Sequence, residues 1–276
     1  MTKDEQWLLE EKYGGVATKE FDADKERLAA GEPLAYIIGW QPFLGLKIFL
    51  DSHPLIPRTE TEWWVEQFLQ NTGGVDASAR KESHSATARE EAIRQQAKTP
   101  LSSSGPAAKP VRFLDLCAGS GAIGCAALVK LPNAHVYFGE IDPTHEATIL
   151  KNLCENNLDG SCADVRVGDL FGPFGDIQFD FIAANPPYIP SNRPLPESVA
   201  GYEPSRALYA GADGLDVIRR IATDLSRHLA PGGEAWIEVD SPATPVATGL
   251  FTDQGFRANV RNDQYGLPRV LVVSFP

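Results

Sequence analysis

The stretch LDLCAGSGAIG, residues 114–124, decides the fold class of this chain. It joins an apolar segment, VRFLDLCAG, to an alanine-rich one, SGAIGCAALVKLP, which predicts a strand, a glycine turn and a helix. Gly119 and Gly121 let the backbone approach a ligand without a Cβ in the way. This order is typical of the first unit of a nucleotide- or nucleoside-binding α/β domain.

The same alternation continues to the end of the chain. Further strands are predicted in AHVYFGEID, DVRVGDLF, FDFIAANPPY and EAWIEVD, and helices in PTHEATILKNLCENNL and in GLDVIRRIATDLSRHLAPGG, which Pro-Gly-Gly stops. The ending, GFRANVRNDQYGLPRVLVVSFP, is typical of a hairpin added to the sheet. Residues 111–276 therefore predict a mostly parallel, doubly wound α/β sheet of Rossmann-like type.

The chain before residue 111 divides into three parts by composition. Residues 1–33 predict a short helical segment, and residues 34–70 predict a small β-hairpin and a connecting helix over TETEWWVEQFLQ. Residues 71–110 are poor in large apolar side chains, which predicts a mobile low-complexity insertion. A partner-docking arm is the alternative for that insertion.

Composition and charge exclude several function classes. The chain has 276 residues, 43% of them hydrophobic, and a net charge of −12, which disfavours stable nucleic-acid binding. No apolar run reaches membrane-spanning length and the start has no signal core, so a cytoplasmic monomer away from the membrane is expected. The four cysteines form no C-x-x-C pair and lack histidines at ligand spacing, so no metal site is expected.

The glycine turn has two candidate ligands. Gly119-x-Gly121-x-x-Gly124 satisfies the dinucleotide fingerprint, and Glu140 follows at the end of the next strand, so a nicotinamide- or flavin-dependent oxidoreductase is one alternative. Asp115 would repel a pyrophosphate but favour a cationic amino-acid group. S-adenosylmethionine carries such a group and no phosphate, and Glu140 can accept hydrogen bonds from both ribose hydroxyls. We therefore favour S-adenosylmethionine.

GDLF, residues 168–171, ends a further predicted strand near the same turn. Asp169 can accept a hydrogen bond from an adenine amino group, while Leu170 and Phe171 pack beside the ring. An aspartate that only caps a turn is the alternative for this motif.

The turn AANPPYIP, residues 183–190, is rich in acceptors and poor in donors, because proline lacks an N–H and restricts the residue before it. The Asn185 side-chain carbonyl and the Pro186 backbone carbonyl can accept two hydrogen bonds from a planar NH₂ group, which Tyr188 can cover. Such acceptors stabilise the positive charge that grows on an attacking amide nitrogen. A proline-rich turn that only caps the sheet is the alternative.

Several blocks resemble one family in the family's own order. They are PLAYIIGWQPFLGLKIFL, LIPRTETEWWVE, LDLCAGSGAIG, GDLF, NPPYIP, YEPSRALYAGADGLDVI and DQYGLPRV. They resemble the protein-(glutamine) methyltransferases that modify peptide-chain release factors, the HemK/PrmC family, from Pro33 to the C-terminus except for the insertion. NPPY also occurs in adenine-methylating DNA enzymes, whereas IPRTETE and EPSRALYAG are more particular.

The resemblance implies a class I methyltransferase fold. It also implies methyl transfer from S-adenosylmethionine to the glutamine amide nitrogen in the Gly-Gly-Gln motif of a release factor. The residues that the resemblance implies contact the methyl donor are Cys117, Ala118, Gly119, Ser120, Gly121, Glu140 and Leu170, and we add Asp169 and Asn185 to them. The residues implied to hold the substrate glutamine are Asn185, Pro186, Pro187 and Tyr188.

The chain departs from the family at a few positions. Cys117 stands where the family often has glycine, so a negative φ is expected there, and Leu170 replaces an often aromatic residue, so adenine stacking is expected to be weaker. The segment before Pro33 is shorter than the family's usual N-terminal helical domain.

Two other hypotheses remain beside the protein-glutamine methyltransferase. One is an amino-directed DNA or RNA methyltransferase, which the acidic charge and the lack of a recognisable target-recognition domain disfavour. The other is a catalytically silent binding module, which the joint presence of Asn185, Glu140 and the glycine turn disfavours.

Overall fold

The strands predicted from the sequence form two sheets in the residues that the structure, a computed structural model, describes: 1–72 and 109–276. The strands are β1 (Trp40–Phe43), β2 (Leu46–Phe49), β3 (Val111–Leu116), β4 (Ala134–Glu140), β5 (Ala163–Val167), β6 (Phe179–Ala184), β7 (Leu229–Glu238), β8 (Arg257–Asn262) and β9 (Pro268–Ser274). The first two form a hairpin, and the other seven form a sheet in the order β5-β4-β3-β6-β7-β9-β8. Strands β3 to β7 are parallel and β9 is antiparallel to both neighbours, which confirms the predicted α/β sheet and its terminal hairpin.

Helices cover both faces of this sheet. They are α1 (Lys3–Tyr13), α2 (Lys19–Ala29), α3 (Leu34–Ile38), α4 (Thr59–Thr72), α5 (Ala122–Lys130), α6 (Thr144–Glu155), α7 (Glu197–Ala200), α8 (Ser205–Leu208), α9 (Asp216–His228) and α10 (Thr244–Thr252). Along β3, Phe113 packs in the cluster with α4, α5 and α6, whereas Leu114 and Leu116 pack with α9 and α10. This alternation along a buried strand is what a doubly wound sheet requires. None of the helices in the described ranges is long and apolar enough to cross a membrane.

The order of the strands reverses next to β3, which pairs in parallel with β4 on one side and β6 on the other. The chain runs outward from β3 through β4 to β5 and then returns to begin the other half at β6. Open α/β sheets bind ligands in the crevice outside the carboxyl ends of the strands at such a point. LDLCAGSGAIG leaves β3 there and AANPPYIP leaves β6, so the two motifs meet at one crevice.

Two local predictions were wrong. The segment 34–38 is helix α3 and not the start of the hairpin, because Pro33 begins it with a fixed φ and Gly39, at φ 95°, ends it with a hydrogen bond to Ala35. Helix α9 ends at His228, and the Pro-Gly-Gly that was expected to stop it lies inside β7. A register shift where β7 pairs with β6 accommodates the proline.

The insertion predicted over residues 71–110 lies outside the described residues except for its ends. Asn71 and Thr72 complete α4, and Lys109 and Pro110 lead into β3.

The N-terminal hairpin is attached to α6 by two asparagines, Asn152 within the helix and Asn156 directly after its end. Asn152 accepts from Phe49 N at 2.7 Å and donates to Phe49 O at 3.0 Å and to Ser120 O at 2.8 Å. Asn156 makes the equivalent pair of bonds to the backbone of Lys47. Side-chain amides therefore pair with β2 as a neighbouring strand would, and one of them also fixes the glycine turn.

Candidate active site

A cavity of about 350 Å³ lies at the carboxyl ends of β3 to β6, a size that suits a small ligand. The predicted site residues in its walls are Cys117, Gly119, Glu140, Asp169, Leu170, Asn185 and Pro187. The other predicted residues, which are not wall residues of this cavity in the described part of the chain, are Ala118, Ser120, Gly121, Pro186 and Tyr188.

The glycines of the turn have different roles. A Cβ on Gly119 would meet only Pro54, at 3.8 Å, so this backbone is open to a ligand. A Cβ on Gly124 would lie 2.2 Å from Phe138, and one on Gly121 would lie 3.3 Å from the same ring. Gly124 is therefore required by helix-to-strand packing, and Gly121 is favoured by its φ of 78°, while of these three glycines only Gly119 lines the cavity.

Cys117 has a φ of 63°, so the negative φ expected for a side chain at this position was wrong. Leu170, on the next wall of the cavity, has a φ of 47°. A non-glycine residue in this region costs roughly 1–3 kcal/mol, and such strain is concentrated at functional sites. Burial raises the pKa of the Cys117 thiol well above its ordinary value, so this cysteine stays protonated and is no nucleophile.

Glu140 ends β4 with a carboxylate that is 6% exposed and held by two backbone donors. Its Oε2 accepts from Gly119 N at 2.7 Å, and its Oε1 accepts from Asp142 N at 2.9 Å. Each carboxylate oxygen has lone pairs left for a further donor. This side chain is therefore fixed in an orientation that presents two acceptors to a ligand with neighbouring hydroxyl groups.

Asp169 and Leu170 form the wall of the cavity beyond Glu140. Asp169 Oδ2 accepts from Arg220 Nη2 at 2.6 Å, and both side chains are about half exposed. Leu170 is 9% exposed and supplies apolar surface. The adenine contacts predicted for these two residues stay predictions. Arg220 is a further polar residue in the wall of the cavity that the sequence analysis did not predict.

Asn185 presents a buried acceptor at the cavity. Its Nδ2 donates to Thr61 Oγ1 at 3.1 Å, while its Oδ1 has no hydrogen-bond partner among the described residues. An unsatisfied buried acceptor costs about 1–3 kcal/mol, and one in a native protein calls for an explanation. Asn185 lies in the wall of the cavity, so this acceptor is a candidate contact for a ligand that donates from an N–H group.

A loop from the N-terminal half completes the cavity. Leu55 lies in its wall, and the loop is held by Tyr36, which donates to Pro54 O at 2.6 Å, and by Arg58, whose Nη2 is 2.6 Å from Glu203 Oε1. The Arg58–Glu203 pair joins the motif LIPRTETE to the motif YEPSRALYAG. The sequence pattern does not show this pairing, because it joins residues 145 positions apart.

The remaining wall residues were also missed. They are Gly139, Ile141, Asp142, His145, Gly168, Pro204, Arg206, Ala207, Tyr209 and Val217. They come from the end of β4 and the residues after it, from the residue after β5, and from the segment between β6 and the first turn of α9, where no single residue type indicates a ligand contact. Among the described residues no group of three or more histidines, cysteines, aspartates or glutamates is placed to hold a metal ion.

Asp115 is fully buried and is not a wall residue of the cavity in the described part of the chain, so it does not act on a ligand as the charged neighbour that the sequence suggested. Its burial instead makes folding stability depend on pH. Its side chain is fully buried, Oδ2 accepts from Gly124 N at 2.8 Å, Oδ1 has no partner among the described residues, and burial raises its pKa from 3.8 to about 8. The folded state therefore keeps a proton that the unfolded state releases above its own pKa. From pH 4 to 8 this group lowers the free energy of unfolding by roughly 1.4 kcal/mol per pH unit.

The measurement is denaturant unfolding at pH 5, 6 and 7 for the wild type and Asp115→Asn. We expect the stability difference, wild type minus variant, to fall as pH rises. Parallel pH profiles would show that Asp115 is ionised in the folded protein throughout this range.

Comparisons with known proteins identify the fold and the family. The Methyltransferase small domain family matches residues 101–194, which contain both motifs at the crevice. The catalytic domain in a structure of hMettl16 in complex with the MAT2A 3′UTR hairpin 6 superposes with a TM-score of 0.54 at 18% identity, over 84% of this chain and 75% of that chain. That likeness shows the fold.

Relatives in sequence are closer. A release factor glutamine methyltransferase of Geobacter sulfurreducens is 33% identical over 248 residues, 89% of this chain and 74% of the relative. One of Chlamydia trachomatis serovar L2 is 32% identical over 240 residues, 86% of this chain and 70% of the relative. A ribosomal protein uL3 glutamine methyltransferase of Bradyrhizobium diazoefficiens is 31% identical over 220 residues, 79% of this chain and 60% of the relative. The chain belongs to the release factor glutamine methyltransferase family of S-adenosylmethionine-dependent enzymes.

Proposed function

We propose that this enzyme methylates the side-chain amide nitrogen of the glutamine in the Gly-Gly-Gln motif of a peptide-chain release factor. The observation that carries the proposal is that Asn185, a wall residue of the cavity, has a buried Oδ1 with no hydrogen-bond partner among the described residues, an acceptor that a glutamine NH₂ group would satisfy. The names of the relatives in Geobacter sulfurreducens and Chlamydia trachomatis support this substrate class.

The residues around the cavity suit S-adenosylmethionine. Glu140 offers two fixed acceptors to a ribose diol, Gly119 allows close backbone approach, and Asp169 and Leu170 are assigned to the adenine. The donor, when bound, supplies an electrophilic methyl group on a sulfonium. Three other residues were predicted to contact the donor. Gly121 shapes the turn through its packing. Ala118 and Ser120 hold the turn through their backbones, because Ala118 N donates to Gly139 O at 3.0 Å and Ser120 O accepts from Asn152 Nδ2 at 2.8 Å.

The NPPY turn orients the acceptor amide. Asn185 Oδ1 accepts one N–H of the glutamine, and the backbone carbonyl of Pro186 accepts the other, which leaves the face of the nitrogen free to meet the methyl group. An amide nitrogen is a weak nucleophile because its lone pair is delocalised, so orientation and stabilisation of the growing positive charge supply the rate. Pro187 lines the cavity and stiffens the turn. Tyr188 is not a wall residue of the cavity in the described part of the chain, and its hydroxyl donates to Glu238 Oε1 at 2.9 Å, so its role in covering the substrate stays a prediction.

A ribosomal protein is the second candidate substrate, because the relative of Bradyrhizobium diazoefficiens is a ribosomal protein uL3 glutamine methyltransferase. The chemistry at Asn185 is the same for both proteins. A nucleic-acid amino group would also satisfy Asn185, but the net charge of −12 opposes the binding of a polyanion.

The test is methyl transfer from labelled S-adenosylmethionine to four substrates: a release factor, the same factor with its Gly-Gly-Gln glutamine replaced by alanine, ribosomal protein uL3, and DNA. We expect label on the intact release factor and none on the substituted one. Label on uL3 alone, or on DNA alone, contradicts the proposal.

We expect Glu140→Ala to weaken donor binding by about 1–3 kcal/mol, because charge-assisted hydrogen bonds to the ribose are lost. Titration calorimetry with S-adenosylmethionine measures it, with Glu155→Ala, an exposed glutamate at the end of α6, as the matched control. Thermal unfolding without ligand separates this effect from the loss of the bonds to Gly119 and Asp142. Equal affinity of both variants would remove Glu140 from the site.

A further inference from the structure

A buried carboxylate lies behind the NPPY turn. Glu238, the last residue of β7, is 1% exposed, and its Oε2 accepts from Thr61 Oγ1 and from Trp64 Nε1, both at 2.7 Å. Its Oε1 accepts from the Tyr188 hydroxyl at 2.9 Å. Burial raises the pKa of this carboxyl, and its three donors oppose that shift because they favour the charged form.

The direction of each hydrogen bond in this cluster is determined. A carboxylate only accepts, so the single proton of the Thr61 hydroxyl is used on Glu238. The Thr61 oxygen can then only accept from its other neighbour, which is the Asn185 side chain at 3.1 Å. Asn185 must therefore turn its NH₂ group toward Thr61, and its carbonyl oxygen, which has no partner among the described residues, is left on the other side of the amide.

The opposite orientation of the Asn185 amide would be incompetent. It would point an NH₂ group at the NH₂ group of the target, and it would leave Thr61 Oγ1 facing a second acceptor. The two unmatched buried pairs together are enough to change the population of the competent orientation by about tenfold or more. The cluster thus selects one of two side-chain orientations of nearly equal shape.

The negative charge of Glu238 also acts on the reacting nitrogen through the hydrogen bonds of the cluster. A buried anion polarises the chain of hydrogen bonds that starts from it, so Thr61 and then Asn185 become stronger acceptors. The effect is largest when positive charge is present on the nitrogen, that is, in the transition state.

We propose that Thr61 and Glu238 are positioning residues that orient and polarise the Asn185 amide through the path Glu238–Thr61–Asn185. The inference rests on the proposed function of Asn185. It gives a role to part of LIPRTETE, since Thr61 lies in the first turn of α4 and reaches the active site from a part of the chain 124 positions away from Asn185.

The test compares Thr61→Val with Thr61→Ser, using steady-state kinetics on the release factor and calorimetry with S-adenosylmethionine. Valine keeps the size and the methyl group of threonine but has a second methyl group in place of the hydroxyl, while serine keeps the hydroxyl and loses the methyl group. We expect Thr61→Val to lower kcat about tenfold or more, with KM and donor affinity changed less than about twofold. Thr61→Ser should retain most of the wild-type kcat even where its melting temperature is the lower of the two.

A role in packing alone reverses this order, because Thr61 is 3% exposed and serine leaves a small void. Serine at or below valine in kcat would therefore overturn the proposal. Trp64→Phe is the second variant: it removes one donor to Glu238 without touching Thr61, so a smaller loss of kcat than in Thr61→Val is expected, and a larger loss counts against the path.

A readout independent of turnover is the side-chain NH₂ signal of Asn185 by NMR of the whole chain, assigned by its loss in Asn185→Asp. We expect a downfield, slowly exchanging proton in the wild type and in Thr61→Ser, and its loss in Thr61→Val. An unchanged signal in Thr61→Val contradicts the inference whatever the substrate is. A wild type that labels no release factor, with the NMR result as expected, contradicts the proposed substrate and leaves the orientation of Asn185 supported.

Discussion

Asn185→Ala lowers turnover on a release factor by about a hundredfold or more, which is the expected loss when one preorganised polar contact to the transition state is removed. Donor affinity should fall far less, by under about tenfold, because Glu140 and Gly119 supply separate contacts to that ligand. Single-turnover methyl transfer measures the first quantity, and calorimetry with S-adenosylmethionine measures the second. An equal fall in both would mean that Asn185 belongs mainly to the donor site.

Asn185→Asp is the stricter comparison because it keeps size and one acceptor oxygen. The introduced carboxylate has no N–H for Thr61, whose own proton is used on Glu238, so the side chain loses its anchor. We expect donor binding that is unchanged or tighter, since a negative charge is added near a sulfonium, and turnover well below that of the wild type. Full activity of both Asn185 variants would refute the proposal that Asn185 holds the amide of the substrate glutamine. Activity on DNA with none on the release factor would support the role of Asn185 in holding an NH₂ group but would contradict the proposed substrate.

The fold was predictable because its determinants are local. Apolar segments of strand length alternate with helical ones, and LDLCAGSGAIG places a glycine turn where the first strand becomes a helix. Local patterns were less reliable at segment ends. The β-branched segment at 34–38 becomes helix α3 because Pro33 and Gly39 bracket it, and Cys117 adopts a conformation that its side chain disfavours.

The site was predictable only as far as it follows directly from strand ends. Glu140 is the last residue of β4 and Asn185 directly follows β6, so their places at the crevice could be expected from topology. Thr61 and Glu238 could not be found this way, because their contact joins residues 177 positions apart and neither type is unusual where it stands. Periodicity describes one element at a time, whereas this cluster requires helix α4 and strand β7 to lie side by side.

The NPPY turn also depends on a glycine far from it. After the turn, Ile189 N donates to Leu208 O and Ile189 O accepts from Ala210 N, both at 2.9 Å, so the chain pairs with the segment after α8. Gly214 closes this arrangement at a φ of +78°, where a Cβ would lie 2.3 Å from the backbone oxygen of Tyr188. A backbone carbonyl cannot move aside as the end of a side chain can.

We therefore expect Gly214→Ala to destabilise the protein by about 1–3 kcal/mol and to lower kcat about tenfold or more, because the chain next to Asn185 must shift. Gly211→Ala is the matched control: its φ is +79°, but its Cβ would meet the carboxylate of Asp216, at 2.0 Å, which can rotate away on its side chain. Both variants carry the same conformational penalty, so any difference between them reports the contact with Tyr188. Denaturant unfolding and kcat on the release factor measure it. If the two variants behaved alike, the position of the NPPY turn would not depend on Gly214, and strain at a left-handed residue would be the whole effect.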